Sequence, residues 1–314
     1  MRLWSDEIEG MRAEARAAVA AGSAFLTVDE AAVPGLTRDE RVAAARASID
    51  VNTYPVPDAE TAKIGGVDCR VHRPAVDPRA VYLHFHGGGM VSGSATLMDI
   101  PNQMTAAEHG VVVVSVEYRK APEFPWPAGP DDGEAVARAL LDGVGAELGS
   151  ERLLIGGESA GGYMAATVAL RIREMGAIDR VDGLNLNMGF HDWGGNPSQH
   201  GVRPTEGPDV LSPEFLELAR DCYVPGMTDE ERRAPEVSPC SADLRGLPPC
   251  FVSVGTSDHL FDDSLILATR AAAAGVDVDF CVLPDLPHAF QVYDCGITRA
   301  WARRQSEWMA GHVG

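Results

Sequence analysis

A serine set between a strand and a helix of small residues constrains this chain more than any other segment. The strand-like run RLLIG leads into Gly157, Glu158 and Ser159, and the helix-forming run AGGYMAATVALRI follows. A serine in so sharp a turn adopts strained backbone angles, so its neighbours must be small, as Gly157 and Gly161 are. The pattern predicts that Ser159 presents its hydroxyl above the sheet as a nucleophile. A tight turn that only needs small residues is the alternative.

Strand-like and helix-like runs alternate on both sides of this turn, as they do in α/β proteins. A hairpin is expected around Gly65 and Gly66, before the alternation begins. Buried strands are expected at 80–86, 111–118, 152–157, 183–188, 250–255 and 276–283. Because strands joined through a helix normally run parallel, we expect a mostly parallel central sheet flanked by helices.

Two segments lack this alternation. Residues 1–50 carry two amphipathic helical patterns, and residues 190–245 carry glycines, prolines and a short helix that begins after Ser212. We therefore expect an N-terminal helical cap segment at 1–50 and a cap insertion at 190–245. The catalytic core is then divided into a first part at 51–189 and a second part at 246–314.

The charge balance narrows the choice of partner. The chain has 26 Lys and Arg against 46 Asp and Glu, a formal net charge of −20. A field of this sign repels phosphate backbones and anionic substrates, whereas a neutral molecule does not feel it. We therefore expect a small neutral partner and no nucleic acid.

Cysteine spacing and hydropathy indicate the compartment. Six cysteines are scattered without a Cys-x-x-Cys pair, which favours reduced thiols. Acidic residues interrupt the N-terminal region where a secretory peptide needs an apolar run, and no run of eighteen apolar residues occurs. We expect a cytoplasmic protein without membrane insertion. The glycines lack the dinucleotide-binding spacing and no Walker lysine is present, so no cofactor is expected.

A serine hydroxyl is a poor nucleophile near neutral pH, so it needs a base, a group that orients the base, and donors for the oxyanion that develops. The run from His86 to Gly89 ends a predicted strand, and backbone without side chains can approach a substrate carbonyl closely. We assign the oxyanion hole to the amides of Gly88, Gly89 and Ala160. A flexible glycine turn is the alternative for the first two.

The acid and the base are expected at the ends of later strands, in the chain order Ser, Asp, His. Asp258 follows the apolar run FVSV, and His288 follows VDFCVL. Asp258 could instead cap a helix, and His288 could be a histidine of a surface loop. His259 adjoins Asp258, but adjacent side chains diverge, so it is not chosen as the base.

Three local signatures appear in a fixed order before Asp258 and His288. They are HGGG at 86–89, EYRKAPEFPWPAGPDD at 117–132 and GESAGG at 157–162. In this order they resemble the hormone-sensitive lipase (HSL) family of α/β-hydrolase esterases, over about residues 79–290.

The resemblance implies an α/β-hydrolase fold with a helical cap and hydrolysis of carboxylic esters without a cofactor. It also implies short to medium acyl chains, and together with the negative charge we expect a neutral ester substrate. Position by position, it implies Ser159 as nucleophile, Asp258 as acid and His288 as base. It places the oxyanion hole at Gly88, Gly89 and Ala160, as reasoned above.

Glu158 departs from the family pattern, where Asp or Thr often precedes the nucleophile. Two roles are open for its carboxylate. It could tune neighbouring groups electrostatically, or it could accept hydrogen bonds from nearby backbone amides, and we favour the second role.

The walls of the pocket and a metal site are weaker inferences from position. Candidate walls, each with ordinary core packing as its alternative, are Phe25, Met90, Phe190, Phe215 and Phe261. His84 and His86 share one face of a strand and could join His191 and Asp192 on zinc. No third ligand has suitable spacing, so no metal is expected, and His86 is expected to brace its glycine loop.

The chemistry expected of this set is acyl transfer through an acyl-enzyme. The same residues would also serve an amidase, a carbamate hydrolase or a thioester hydrolase. A small-molecule receptor without turnover is the alternative of another class, although such proteins typically lose a member of the triad. The oligomeric state is left open, with a homodimer as one option.

Overall fold

We describe residues 4–22, 35–50, 53–201 and 211–314 of a computed structural model of the chain. Their strands form one eight-stranded sheet with the order β1-β2-β4-β3-β5-β6-β7-β8. The strands are β1 (Glu60–Ile64), β2 (Val67–His72), β3 (Ala80–Phe85), β4 (Val111–Val116), β5 (Leu153–Glu158), β6 (Val181–Asn187), β7 (Cys250–Gly255) and β8 (Val278–Leu283). The pairs β1–β2 and β2–β4 are antiparallel, and all other pairs are parallel.

Helices cover the sheet and contribute to both predicted cap segments. They are α1 (Asp6–Gly10), α2 (Arg12–Ala21), α3 (Arg38–Asp50), α4 (Asp99–His109), α5 (Ala128–Ala139), α6 (Gly145–Leu148), α7 (Ala160–Glu174), α8 (Pro213–Tyr223), α9 (Asp229–Arg232), α10 (Phe261–Ala273) and α11 (Gly296–His312). None of the helices in the described ranges is long and apolar enough to cross a bilayer.

The central strands are buried along their whole length, which is why they read as continuous apolar runs. Every residue of β3, β4 and β7 is buried. Parallel strands covered by helices on both faces have this pattern. The predicted α/β-hydrolase architecture, a mostly parallel sheet flanked by helices, is therefore confirmed.

Most predicted elements lie where the sequence places them, within a few residues. The hairpin around Gly65 and Gly66 joins β1 to β2. The helix that the alternation requires between the strands at 111–118 and 152–157 begins at Ala128, as α5. The N-terminal helical pattern is divided at Met11 into α1 and α2. All six cysteines are buried and free, as the spacing predicted.

Small residues let β5, its turn and α7 pack tightly under the end of β3. A Cβ atom built on Gly157 or on Gly161 would collide with the carbonyl oxygen of Phe85. The helix α7 is buried along nearly its whole length and packs on β3, β5 and β6. Glycine at these two positions therefore sets how closely the serine turn approaches the loop that follows β3.

The two segments predicted as caps contain helices in their described parts. Residues 4–22 and 35–50 contain α1 to α3, and α8 and α9 lie within 211–245. Ser212 caps α8, its hydroxyl accepting from the backbone amide of Phe215 at 3.1 Å. The Arg41 side chain donates to the carbonyl of Glu214 in α8. The N-terminal helices and the insertion are thus in contact.

Candidate active site

Ser159, His288 and Asp258 form a continuous hydrogen-bonded chain. The Nε2 atom of His288 lies 3.0 Å from the Ser159 hydroxyl oxygen, and its Nδ1 atom lies 2.8 Å from Asp258 Oδ2. Because a carboxylate only accepts, Nδ1 carries the proton and Nε2 is left to accept from the serine. Side chains that are 129 and 30 residues apart along the chain are therefore in contact.

The serine sits in a strained backbone conformation at the start of α7. Its φ is 57° and its ψ is −121°, and residues other than glycine rarely adopt a positive φ of this kind. Its backbone amide donates to the carbonyl of Asn187 at 2.9 Å. Its carbonyl accepts from Tyr163 and Phe190, each at 3.2 Å. These bonds hold the turn from both sides, as such strain requires.

The carboxylate of Asp258 is fully buried and satisfied on both oxygens. Its Oδ1 atom accepts from the Leu260 amide at 2.8 Å, and Oδ2 faces the imidazole. The side chain has no exposed area, and that of His288 is 9% exposed. A charge so placed keeps the ring in one orientation.

The loops that carry the acid and the imidazole are tied to each other. The amide of Ser257 donates to the carbonyl of Leu286 at 3.0 Å, and the amide of Asp285 donates to Thr256 Oγ1 at 2.9 Å. A Cβ atom on Gly255 would collide with Leu286. The loops that follow β7 and β8 are therefore bonded and closely packed against each other.

The glycine loop after β3 is folded back on itself beside the serine. Gly88 and Gly89 have φ values of 123° and 62°. The Gly88 carbonyl accepts from Val91 at 3.1 Å and from Ser92 at 2.9 Å. Within the described residues, the amides of Gly88 and Gly89 donate to no protein acceptor. Ala160 is the first residue of α7, where an amide has no partner within the helix.

His86 braces this loop, as expected from the sequence. Its ring stacks on Tyr118 with 4.2 Å between centroids, and Nδ1 lies 2.7 Å from the Gly87 carbonyl. The Tyr118 hydroxyl donates to the His86 carbonyl at 2.7 Å. Burial lowers the pKa of His86 well below its ordinary value, so the ring is neutral.

The other histidines considered for zinc are not assembled around a common point. His84 hydrogen-bonds Ser115 and Glu158, whereas His191 is fully buried and its pKa is lowered to about 3 by burial. Asp192 accepts from the amide of Gly194. In the part of the chain that the structure describes, no group of three or more His, Cys, Asp or Glu side chains could hold a metal ion.

The candidate wall residues differ in their placement. Phe25 lies outside the described residues. Met90 is buried in the main core and follows Gly89 directly. Phe190 is buried and stacks on Trp193 at 4.1 Å. Phe215 of α8 lies over the glycine loop, so close that a Cβ atom on Gly89 would be 2.6 Å from its ring.

Phe261 begins α10, and its amide donates to the Asp258 carbonyl at 3.0 Å. Its side chain packs in the smaller hydrophobic cluster of α2, α11 and the loop of His288. Met90, Phe190 and Phe215 thus lie beside Ser159 or its glycine loop, while Phe261 packs behind the acid loop.

Sequence reasoning missed the partners of several charged groups. The Glu158 carboxylate does not bond a nearby backbone amide but faces Nε2 of His84 at 3.2 Å. Asp263, in the first turn of α10, is buried and accepts from the Asp192 amide at 2.7 Å and from the Gln199 side chain at 2.9 Å. Burial raises the pKa of Asp263 to about 7. The buried Arg220 side chain donates to Gln199 at 2.8 Å.

The chain matches a known family and several named relatives. The family model described as the α/β hydrolase fold matches residues 82–292. The chain belongs to this family. A carboxylesterase, NlhH of Mycobacterium tuberculosis, is 34% identical over 243 residues, which cover 71% of each chain. The esterase LipI of the same organism is 31% identical over 236 residues, 73% of this chain and 72% of LipI.

Solved structures place the chain within the esterases of this fold. A hormone-sensitive lipase from a metagenome library is 30% identical with a TM-score of 0.76, covering 96% of this chain and 98% of that one. An esterase from the bacterial HSL family is 28% identical with a TM-score of 0.78, covering 100% of both chains. The predicted resemblance to HSL-type α/β-hydrolase esterases is confirmed.

Proposed function

We propose that this carboxylic ester hydrolase uses Ser159 as nucleophile, His288 as general base and Asp258 as the acid that orients it. The chain of hydrogen bonds from Asp258 through His288 to Ser159 carries the proposal, with distances of 2.8 and 3.0 Å. Both lie within the range in which a proton can be transferred.

In the first half of the reaction, His288 Nε2 takes the proton of the Ser159 hydroxyl as Oγ attacks the ester carbonyl carbon. The C–O bond to the alcohol breaks, and the alcohol leaves with the proton that His288 returns. The acyl group remains on Ser159. In the second half, His288 removes a proton from water, hydroxide attacks the acyl-enzyme, and the carboxylic acid leaves as the Ser159 proton is restored.

We assign the oxyanion to the amides of Gly88, Gly89 and Ala160. Their neighbourhood supports this role, because the glycine loop lies against the serine. A Cβ atom on Gly87 would be 3.3 Å from Cβ of Ser159. Donors already fixed in place stabilise the developing charge without reorganisation.

The acyl chain is proposed to be short to medium. Phe215 lies directly over Gly89, and Phe190, whose ring stacks on Trp193, donates its amide to the Ser159 carbonyl. These rings leave limited room above the glycine loop.

We propose that residues 1–50 and 190–245 form the cap, and that 51–189 and 246–314 form the core. Phe25 and Phe261 stay predictions as pocket walls, and Met90 is proposed to support the wall from below.

A neutral ester is proposed as the substrate. The net charge of −20 disfavours anionic esters and favours departure of the carboxylate product. The same charge argues against nucleic acid as a partner. Cytoplasmic location and a homodimer stay predictions.

The experiment is hydrolysis of p-nitrophenyl acetate and butyrate by the wild type, by Ser159→Ala and by Ser150→Ala. Ser150 lies at the opposite end of β5 and bonds the Arg79 carbonyl, so it is a matched control. We expect Ser159→Ala to lose at least about 10³-fold in kcat, with Ser150→Ala unchanged. Labelling with an organophosphate and peptide mapping should place the adduct on Ser159. Equal rates for the wild type and Ser159→Ala would exclude Ser159 as nucleophile.

Anilide, carbamate and thioester substrates of matched acyl length test the alternative activities on the same residues. A receptor without turnover is the outcome if none of these substrates is hydrolysed and the organophosphate leaves Ser159 unlabelled.

A further inference from the structure

A second polar network lies behind the serine turn, on the face of the sheet covered by α4 and α11. Side chains alternate along β5, so Ile155 packs in the main core with α7 while Leu154 packs against Met309 of α11. Glu158 shares the face of Leu154. Its carboxylate therefore points away from α7, although the next residue is Ser159.

His84 reaches this carboxylate because the strand beside it has no side chain in the way. In the parallel pairing of β3 with β5, His84 lies opposite Gly156, two residues before Glu158. The His84 ring is 3% exposed and the Glu158 side chain is 17% exposed. The 3.2 Å contact between them is thus formed inside the protein.

The hydrogen bonds around His84 assign its proton. Its Nδ1 atom lies 3.2 Å from the side-chain nitrogen Nδ2 of Asn102 and 2.9 Å from the hydroxyl oxygen of Ser115. Because the amide nitrogen can only donate, Nδ1 accepts and Nε2 carries the hydrogen. His84 therefore donates to Glu158, and α4 and β4 hold the donor in place.

The residue that holds the serine amide lies beside Glu158 in a hydrogen-bonded group of its own. The Asn187 carbonyl accepts from the Ser159 amide at 2.9 Å. The Asn187 side-chain oxygen accepts from Ser253 at 2.6 Å and from Gln305 at 3.2 Å. Glu158 and Asn187 are also opposite each other in the pairing of β5 with β6. The strained turn is thus anchored from the side opposite to His288.

We propose that Glu158 and His84 are positioning residues for the Ser159 hydroxyl, an inference that rests on the function proposed above. The backbone of a serine with a positive φ relaxes to a more common conformation unless the surrounding residues hold it. The hydrogen bond from His84 fixes the side chain of Glu158, the residue before Ser159. It thereby limits rotation of the peptide between Glu158 and Ser159. Loss of this bond lets the hydroxyl move away from His288 Nε2, and a displacement of about 1 Å can cost about 10²-fold in rate.

A cleft of about 190 Å³ adjoins the pair, with Asn185, Asn187 and Gln305 among its lining residues. Within the described residues, the Oε1 atom of Glu158 is buried without a hydrogen-bond partner. Only Oε2 is therefore engaged by protein. A glutamine at this position can keep that single contact by turning its oxygen toward His84.

The test compares Glu158→Gln, Glu158→Leu, His84→Phe and the double variant Glu158→Leu/His84→Phe with the wild type. Thr105→Ala is the control, since Thr105 lines the same cleft and its hydroxyl donates to the Pro101 carbonyl of its own helix. The readouts are kcat and KM for p-nitrophenyl butyrate, and the rate constant of organophosphate labelling per titrated active site. Labelling per titrated site counts only folded sites, so partial unfolding does not imitate the effect.

We expect Glu158→Leu and His84→Phe each to lower kcat and the labelling rate by about 10- to 100-fold with KM within about twofold. Glu158→Gln should stay within about threefold of the wild type. The double variant should be no slower than the slower single variant, because both remove one interaction. Thr105→Ala should match the wild type.

Three outcomes would overturn the inference. One is Glu158→Leu with wild-type labelling and kcat, and another is strictly additive losses in the double variant. The third is Glu158→Gln as slow as Glu158→Leu, which would indicate that charge acts rather than the hydrogen bond. Ser159→Ala measured alongside separates the two proposals. Retained activity in Ser159→Ala contradicts the nucleophile, whereas an inactive Ser159→Ala with an unaffected Glu158→Leu contradicts only the positioning pair.

Discussion

Arg12 and Asp285, 273 residues apart, form a two-pronged ion pair that ties the N-terminal helix to the loop of His288. Arg12 Nε donates to Oδ2 at 2.8 Å and Nη2 donates to Oδ1 at 2.9 Å. Arg16 adds a bond at 2.7 Å. The side chains of Arg12 and Asp285 are 26% and 12% exposed. Asp285 precedes the proposed base by three residues, so α2 helps to hold the loop of His288.

Replacement of Arg12 by alanine should loosen this loop more than it alters the chemistry. We expect Arg12→Ala to lower the free energy of unfolding by about 1 kcal/mol. An arginine that donates two hydrogen bonds to one carboxylate stabilises a protein only modestly more than the usual surface ion pair does. Denaturant unfolding measures it, with Arg38→Ala as control because Arg38 pairs with exposed Asp39. Equal losses in both variants would contradict a specific role for the ion pair.

The contribution of Asp285 should depend on pH. The hydrogen bond from Arg12, more than that from Arg16, lowers the pKa of Asp285 below its ordinary value of 3.8. A carboxyl with a lowered pKa in the folded state stabilises the protein above its unfolded pKa, and this stability is lost as the pH falls through the folded pKa. The difference in unfolding free energy between wild type and Arg12→Ala should therefore shrink below about pH 4. A difference that stays constant down to pH 2.5 would contradict the assignment.

The contribution of Asp263 to the free energy of unfolding should depend on pH in the opposite sense. Burial raises its pKa to about 7. A group with a raised folded pKa contributes stability below its unfolded pKa, and this contribution is lost as the pH rises toward the folded value. Wild-type stability should therefore fall progressively between about pH 4 and pH 7, and Asp263→Asn should flatten that part of the profile. Asp263→Asn should also be less stable at pH 5, because its amide nitrogen would face the donors of Asn196 and Gln199. Identical slopes for both proteins would contradict this account.

Phe215 should set the length of acyl chain that the site accepts. Its ring lies over Gly89, so removal opens space beside the proposed oxyanion hole. We expect Phe215→Ala to raise the ratio of kcat/KM for p-nitrophenyl octanoate over acetate by about tenfold. Phe124→Ala, which removes an exposed ring, is the control. An unchanged ratio would remove Phe215 from the pocket walls.

Asp258→Asn should reduce kcat by about 10⁴-fold with little change in fold. The amide can donate to Nδ1 of His288, which moves the imidazole proton to Nε2 and leaves no acceptor for the serine. Esterase kinetics and circular dichroism measure the two effects, with exposed Asp277→Asn as control. A kcat within tenfold of the wild type would argue for another acid.

Local sequence patterns predicted the sheet, the serine turn and the chain order of Ser159, Asp258 and His288. Each depends on residues close in sequence, such as the glycines that clear the turn or the apolar run before Asp258. The capping serine Ser212 and the proline that follows it also placed the start of α8.

Contacts between distant segments could not be predicted in this way. Glu158 and His84 meet because β3 and β5 are adjacent, although 74 residues separate them. The charge on Arg12 gives no indication that its partner is Asp285. Sequence reasoning assigned Glu158 to local amides, because only neighbours along the chain are visible at that level.

The position of β8 has a consequence for synthesis of the protein. It is the last strand in the chain and lies at one edge of the sheet, and the proposed base follows it in the loop before α11. On the proposed assignment, a polypeptide still emerging from the ribosome carries its serine long before it has an imidazole to activate it. On the same assignment, a product of premature termination upstream of residue 288 lacks the base, so hydrolytic activity reports translation through at least residue 288.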